Sequence, residues 1–197
     1  QDPLPNDNKR VPYASAAAQS IRNAKHLAQE QAVRELALQG GLILFVDGSC
    51  RFCVMQMPVI KALKQNYGVE TLVISLDGSR PKGYAGPIVK DNGLYHKLEL
   101  RLTPSLVYVP RPKAYVDGKD TNIYRIVSQG FYAQDELVKQ IAFAGHKTNL
   151  LSQNTMRDLD VWSRGVASTE DLNALTLDAK NTPAIRQKLQ TVLQKQY

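Results

Sequence analysis

Two cysteines occur among 197 residues, and both fall in one tetrapeptide, Cys50-Arg51-Phe52-Cys53. A single pair this close rules out a disulfide framework, because the loop it closes is too short to staple a fold. A structural zinc site usually takes four ligands, and the three histidines, His26, His96 and His146, stand far apart with no ligand spacing. No metal is therefore expected. What remains is a dithiol pair, the reading that Cys-x-x-Cys takes when it follows a strand. Incidental and metal-binding pairs share the motif, so its surroundings decide.

Those surroundings are the pattern of an α/β sheet core. Leu42-Ile-Leu-Phe-Val46 is a continuous apolar run, the mark of a strand buried on both faces. Asp47-Gly48-Ser49 breaks it and Cys50 follows. Met55, Val59, Ala62 and Leu63 then recur with helical period while Lys61, Lys64 and Gln65 face away, and Gly68 stops the helix. Thr71–Leu76 predicts a second buried strand. Residues 78–101 are punctuated by glycine and proline and leave room for one short helix around Gly93–Leu100. A strand led by Thr103-Pro104 runs to Val109, Asp117-Gly118 supplies turn chemistry, and Ile123–Gln129 returns as the second arm of a long-tipped antiparallel hairpin. Gly130 precedes a helix over about 133–144, lined by Leu137, Ile141 and Ala144.

The flanks are simpler. Residues 1–13 are polar and proline-broken and read as an extended or mobile arm. Ala14–Gln39 predicts a helix with Ile21, Ala24, Ala28, Ala32 and Leu36 on one face, ended by Gly40-Gly41. Its expected role is packing on its own domain, with a dimer or partner contact for its outer half as the alternative. In the tail, Ser168 with Asp171 reads as a capping box and Thr182-Pro183 as a helix start; a last helix would bury Ile185, Leu189 and Val192 and end near Gln194. The expected organisation is an N-terminal arm and helix over 1–29, a catalytic domain over 30–146, and a helical extension over 147–197.

Composition sets outer bounds. A hydrophobic share of 43% with 22% charged residues supports a packed core and excludes global disorder. No run approaches the roughly 18 apolar residues that a membrane helix needs, so no membrane span is expected. The net charge is +7 but spread thinly, with no run of four basic residues, which fits a solvated basic surface and not nucleic-acid binding.

Assembled, these features resemble the thioredoxin fold: a buried strand running into Cys-x-x-Cys at a helix start, Pro58 five residues beyond Cys53, Thr103-Pro104 opening a later strand, and Gly130 before a closing Ala-x-x-Glu-Leu helix. The resemblance covers about 30–146 and implies that Pro58 is the family's helix-kinking proline and Pro104 its cis-proline facing the disulfide. Phe45-Val-Asp47-Gly-Ser-Cys50-Arg-Phe-Cys53 resembles the active-site strand of periplasmic DsbC-type disulfide isomerases, including the acidic residue three before the first cysteine and the threonine before the cis-proline. The chain departs from that group in its shorter insert and its helical tail, and no separate dimerisation domain is expected before residue 30, so the expectation is a monomer, with a dimer formed through helix 14–39 as the alternative. A thioredoxin-like domain with flanking helices resembles instead the TraF/TrbB proteins of conjugative transfer systems, some of which keep Cys-x-x-Cys and act as isomerases.

The chemistry follows from position. Thiol–disulfide exchange needs a thiolate, access to it, and a second thiol to release the mixed disulfide. Cys50 at a helix start gains from unpaired N–H groups and the dipole, and Arg51 is expected either to add a neighbouring positive charge or to be a solvated surface side chain. Cys53, beside Val54 and Met57, is the expected resolving thiol. Leu44, six before Cys50, stands where thioredoxins keep a buried aspartate, which argues against a thioredoxin-type reductase. Asp47 is expected to cap the loop, with a proton-handling role as the alternative. Arg51, Phe52, Thr103 and Pro104 complete the expected supporting and substrate-binding set. Tyr84 and Tyr95 read as surface tyrosines of the insert, with a groove for unfolded chains as the alternative. The expectation is a periplasmic thiol–disulfide oxidoreductase whose signal peptide has been removed, an isomerase or reductase in preference to a primary oxidant. Its partners would be misfolded or misoxidised secreted proteins, conjugative-transfer components and a redox partner that resets it. No cofactor is expected beyond the Cys50–Cys53 disulfide. The competing expectation is a thioredoxin-like assembly or scaffold protein of a conjugation or type IV secretion apparatus.

Overall fold

The computed structural model describes residues 11–110 and 124–163. Five strands, β1 (Gly40–Val46), β2 (Thr71–Ser75), β3 (Ile88–Lys90), β4 (Ser105–Pro110) and β5 (Arg125–Gln129), form one sheet in the order β3-β2-β1-β4-β5. The apolar run takes the centre, since only a strand with neighbours on both sides and layers on both faces hides every side chain from Leu42 to Val46. Helix α2 (Arg51–Tyr67) carries the chain from β1 back to β2, so those strands pair in parallel, Leu42 opposite Thr71 and Val46 opposite Ser75. Strand β4 runs antiparallel to β1, with Phe45 opposite Ser105, and β5 pairs antiparallel to β4. The result is a mixed α/β, thioredoxin-like fold.

Alternation along β1 divides the core into two layers. Ile43 and Phe45 face a cluster with Ile74, Val107 and Val109, covered by Leu98 and Leu100, which follow the short helix α3 (Leu94–Lys97). Leu42 and Leu44 point the other way with their partners Tyr108 and Leu106. On that side the Tyr108 hydroxyl donates to the Leu36 carbonyl of helix α1 (Val11–Gln39) at 2.9 Å. Three helices share this layer. Tyr67 of α2 donates to Glu30 of α1 at 3.0 Å, and Gly145 of α4 (Gln134–His146) lies against the Leu36 side chain.

Three local expectations change. Residues 11–13 are helical instead of extended, because a proline in the first turn lacks only an N–H that no intrahelical carbonyl would accept. Helix α1 ends at Gln39, directly before Gly40 and Gly41, as expected. They begin β1, and a Cβ on Gly40 would run into the Val109 carbonyl and the Tyr108 ring, so the glycine serves close approach of two strands. The buried face of α2 is Cys53, Gln56, Ile60, Leu63 and Tyr67, rotated from the predicted stripe, which leaves Met55 exposed. Strand β3 lies in the insert where no strand was expected, too short at three residues for periodicity to show. The hairpin tip with Asp117-Gly118, the capping box at Ser168 and the helix starting at Thr182-Pro183 lie outside the described residues.

Residues Gln29–Met156 form one compact unit, and the described residues before Gln29 and after Met156 belong to a second. In the second, the described residues are helical, from the start of α1 and the end of α5 (Gln153–Ser163). The first unit runs past α4 because Glu35 gathers the start of α5. Its carboxylate accepts from the Ser152 N–H at 3.1 Å, the Ser152 hydroxyl at 2.8 Å and the Thr155 hydroxyl at 2.8 Å. Ser152 in turn caps α5 by accepting the Thr155 N–H at 3.2 Å. Burial alone would raise the Glu35 pKa, but the bonds from Thr155, Ser152 and Gln31 outweigh it and hold the group below the ordinary glutamate value. A depressed folded pKa contributes stability above the unfolded value, about 4.3, and loses it as pH falls through the folded one. The wild type is thus expected to exceed Glu35→Gln in stability at neutral pH, and the gap should close as pH falls below 4.3. Urea midpoints at several pH values check this; a pH-independent gap would refute it.

Candidate active site

Strand β1 ends at Val46, and a tight loop, Asp47-Gly48-Ser49, delivers Cys50 to the N-cap of α2. Cys50 keeps extended backbone angles there, φ −83° and ψ 102°, while its Sγ accepts the Cys53 N–H at 3.0 Å. The sulfur thus takes the place that a serine or aspartate oxygen takes in an ordinary cap, on one of the N–H groups the helix start leaves unpaired. Cys50 and Cys53 are joined in a disulfide with Cα atoms 5.2 Å apart. Cys53 has no exposed surface, whereas Cys50 is half-buried. Arg51 and Phe52 project from the same turn into solvent, Phe52 with 56% of its surface exposed.

Asp47 ties this loop to a second segment. Its Oδ1 accepts the Ser49 N–H and the Ser49 hydroxyl, both at 3.1 Å, and its main-chain carbonyl accepts the Cys50 N–H at 3.5 Å. Its Oδ2 accepts the Thr103 hydroxyl at 3.0 Å. The sheet explains that meeting: with Phe45 opposite Ser105 in an antiparallel pair, two more steps bring Asp47 across from Thr103. The Thr103–Pro104 peptide bond is cis. Pro104 is buried, and its carbonyl accepts the Gly130 N–H at 2.8 Å. Asp47 and Thr103 therefore meet where β1 ends and β4 is about to begin, with Pro104 next to Thr103, and Asp47 leads into the Cys50–Cys53 turn on which Arg51 and Phe52 are exposed.

Tyr95 differs from the surface tyrosine expected. It is half-buried and packs edge-on against Phe45, centroids 5.7 Å apart at 61°. Burial first, and then the charge of Asp47, push its phenol above the usual tyrosine value. Tyr84 bonds within its own loop, to the Pro87 carbonyl at 3.1 Å. Leu44 is fully within the core, so an apolar side chain fills that position beneath the site.

Two residues absent from the sequence reading support the site. Gln56, one turn after Cys53 and 2% exposed, exchanges two hydrogen bonds with the Tyr132 backbone, each 3.0 Å. Asp77, after β2, reaches the Gly48 N–H. The signal for Asp77 was present: Asp77-Gly78-Ser79 repeats Asp47-Gly48-Ser49, and the two tripeptides follow strands that lie side by side. For Gln56 only its place on the Cys53 helical stripe could have served.

Among the described residues no group of three or more His, Cys, Asp or Glu could hold a metal ion. No described helix is long and apolar enough to cross a membrane. Searches among curated proteins and among solved structures return no match. The profile of one family, TraF, described as the F plasmid transfer operon protein, matches residues 1–142 and so takes in α1, the whole sheet, the dithiol loop and most of α4. With that span covered, the chain belongs to the TraF family.

Proposed function

We propose that this protein is a periplasmic thiol–disulfide oxidoreductase, acting as an isomerase or reductase on secreted proteins and on components of the conjugative transfer apparatus. The observation that carries this reading is the pairing of a half-buried Cys50, whose sulfur caps α2, with a fully buried Cys53 one turn on. A thiolate at that cap is favoured by the Cys53 N–H and the helix dipole, which lower a thiol pKa below its free value of about 8.5. Family membership supports the conjugative setting.

In the reduced protein the Cys50 thiolate attacks one sulfur of a client disulfide. A Cys50–client bond forms, the client S–S bond breaks, and the client's second sulfur leaves as a thiolate that takes a proton. Two exits follow. In isomerisation, another client thiol attacks the mixed disulfide, makes a new client bond and returns Cys50 as thiolate with no net change of redox state. In reduction, Cys53 loses its proton and attacks Cys50, so the client leaves with both sulfurs reduced and Cys50–Cys53 becomes the disulfide. A dithiol partner then reduces that disulfide and is itself oxidised. Asp47 and Thr103 hold the two sides of the site together, and the exposed Phe52 offers apolar contact to an unfolded client.

Brief alkylation of the reduced protein at mildly acidic pH, mapped by mass spectrometry, is expected to label Cys50 and spare Cys53. The reverse pattern would overturn the assignment. Refolding of a scrambled-disulfide substrate, run beside insulin reduction, tests the activity. Absence of turnover in both, with co-purification of transfer components, would establish the scaffold reading in its place.

A further inference from the structure

Resting on the thiol–disulfide reading above, we infer that Asp77 is a positioning residue of the dithiol site: its carboxylate grips the Gly48 N–H and so holds the loop that seats Cys50 on the cap of α2. The three N–H groups between Asp47 and Arg51 each have an acceptor. Cys50 N–H goes to the Asp47 carbonyl, Ser49 N–H to the Asp47 carboxylate, and Gly48 N–H to Asp77, at 3.3 Å from Oδ1 and 3.2 Å from Oδ2. The first two bonds lie within the loop and travel with it. Only the third ties the loop to another part of the protein at Gly48, as the Thr103 hydroxyl does at Asp47.

Asp77 can act as an anchor because its own carboxylate is fixed. Its Oδ1 accepts the Ser79 N–H at 3.0 Å and lies 3.0 Å from the Ser75 hydroxyl, whose one proton is shared with the Ser79 carbonyl at 2.7 Å, and Ser75 sits at the end of β2 with no exposed surface. Asp77 is held below the ordinary aspartate pKa, first by the Ser79 N–H and then by the Gly48 N–H and the Ser75 hydroxyl, so it accepts these bonds as a carboxylate through the neutral range. The two loops also touch closely. A Cβ on Gly48 would come within 2.5 Å of the Ser79 Cβ, so glycine lets the Asp77 loop approach near enough to bond. The duplicated Asp-Gly-Ser tripeptides are thus the two halves of one clasp, built at the ends of adjacent parallel strands.

A positioning role and a charge role for Asp77 predict opposite signs. Among the described residues the charged and titratable groups around the two loops are Asp47, Arg51, Tyr95 and Asp77, with the Lys90 side chain of β3 beside Gly78. If Asp77 acted only as a negative charge, its removal would favour the Cys50 thiolate and speed alkylation. If it acts by holding the loop, removal lets Cys50 leave the cap, the Cys53 N–H is lost to the thiolate, and alkylation slows. The experiment is the pH profile of iodoacetamide labelling at Cys50 in the full, reduced chain. Asp77→Ala is expected to label about threefold more slowly near pH 6, the change that a rise of about half a pKa unit produces. Asp77→Asn, which keeps an acceptor and drops the charge, is expected to restore the rate. Gly48→Ala, which keeps the charge and pushes the loops apart, is expected to slow it as Asp77→Ala does. Asp77→Ala labelling at or above the wild-type rate would overturn the inference, as would an Asp77→Asn no faster than Asp77→Ala. Should Asp77→Ala fail to fold, Gly48→Ala decides by the same comparison. Labelling needs no turnover, so a wild type inactive in the refolding and insulin assays would defeat the proposed function separately from this result.

Discussion

The Cys53→Ser variant is expected to collect client proteins in covalent complexes through Cys50 and to lose net disulfide reduction altogether. Cys50 keeps its cap position, because the bond to its sulfur comes from the residue-53 backbone N–H and not from the Cys53 side chain. Attack on a client therefore proceeds, but no resolving thiol waits one turn along the helix. The mixed disulfide persists until a thiol of the client itself displaces Cys50. Isomerisation is accordingly expected to survive in part while insulin reduction does not. Cys50→Ser is expected to lose both activities and to trap nothing, because Cys53 has no exposed surface from which to attack. Non-reducing gels of each variant after exposure to a misoxidised substrate check this. Complexes that form through Cys53, or equal trapping by both variants, would reverse the roles assigned to the two thiols.

Gln56→Ala is expected to destabilise the protein by about 2–4 kcal/mol, a large share of a domain's usual stability. Gln56 is buried on the α2 face that meets the other helices, and both ends of its amide are used: Nε2 donates to the Tyr132 carbonyl and Oε1 accepts the Tyr132 N–H. Truncation leaves both backbone groups of Tyr132 without these partners and opens a space that the surrounding side chains fill only partly. Tyr132 stands just before α4, so the pair fixes the entry of that helix against α2 one turn below Cys53. The measurement is urea unfolding: the midpoint should fall with an unchanged slope. A loss under about 0.5 kcal/mol, the scale of an ordinary surface substitution, would show that water or a shifted side chain replaces the amide at little cost.

The central strand, the helix after it and the antiparallel pair that follows were readable because each rests on local chemistry. Five consecutive apolar residues between Gly40-Gly41 and Asp47-Gly48 are too short a run for a buried helix and read as a strand covered on both faces, and Gly68 after a helical period marks the helix end. The dithiol was readable for a related reason. Two cysteines alone in a chain, separated by two residues at a strand-to-helix junction, have few other uses. Arg51 and Phe52 share that turn by adjacency, so their place beside the dithiol also follows from sequence.

What sequence could not supply lies across long separations. Asp47 and Thr103 are 56 positions apart, and their bond exists because antiparallel register places them opposite each other just beyond the paired residues. Asp77 reaches Gly48 across 29 positions because α2 returns the chain to a parallel neighbour. The α2 stripe was misjudged for the same cause: a buried glutamine reads as surface until Tyr132 arrives to satisfy it. Tyr95 was read as exposed because nothing near it in sequence shows that Phe45 lies beneath. The sequence by itself determined the strand, the cap and the pair of sulfurs, since backbone propensity and burial of apolar side chains act within a few residues. Only the tertiary structure decided which carboxylates, hydroxyls and amides close around them, because hydrogen bonds between distant segments depend on register and helix packing that no local pattern encodes.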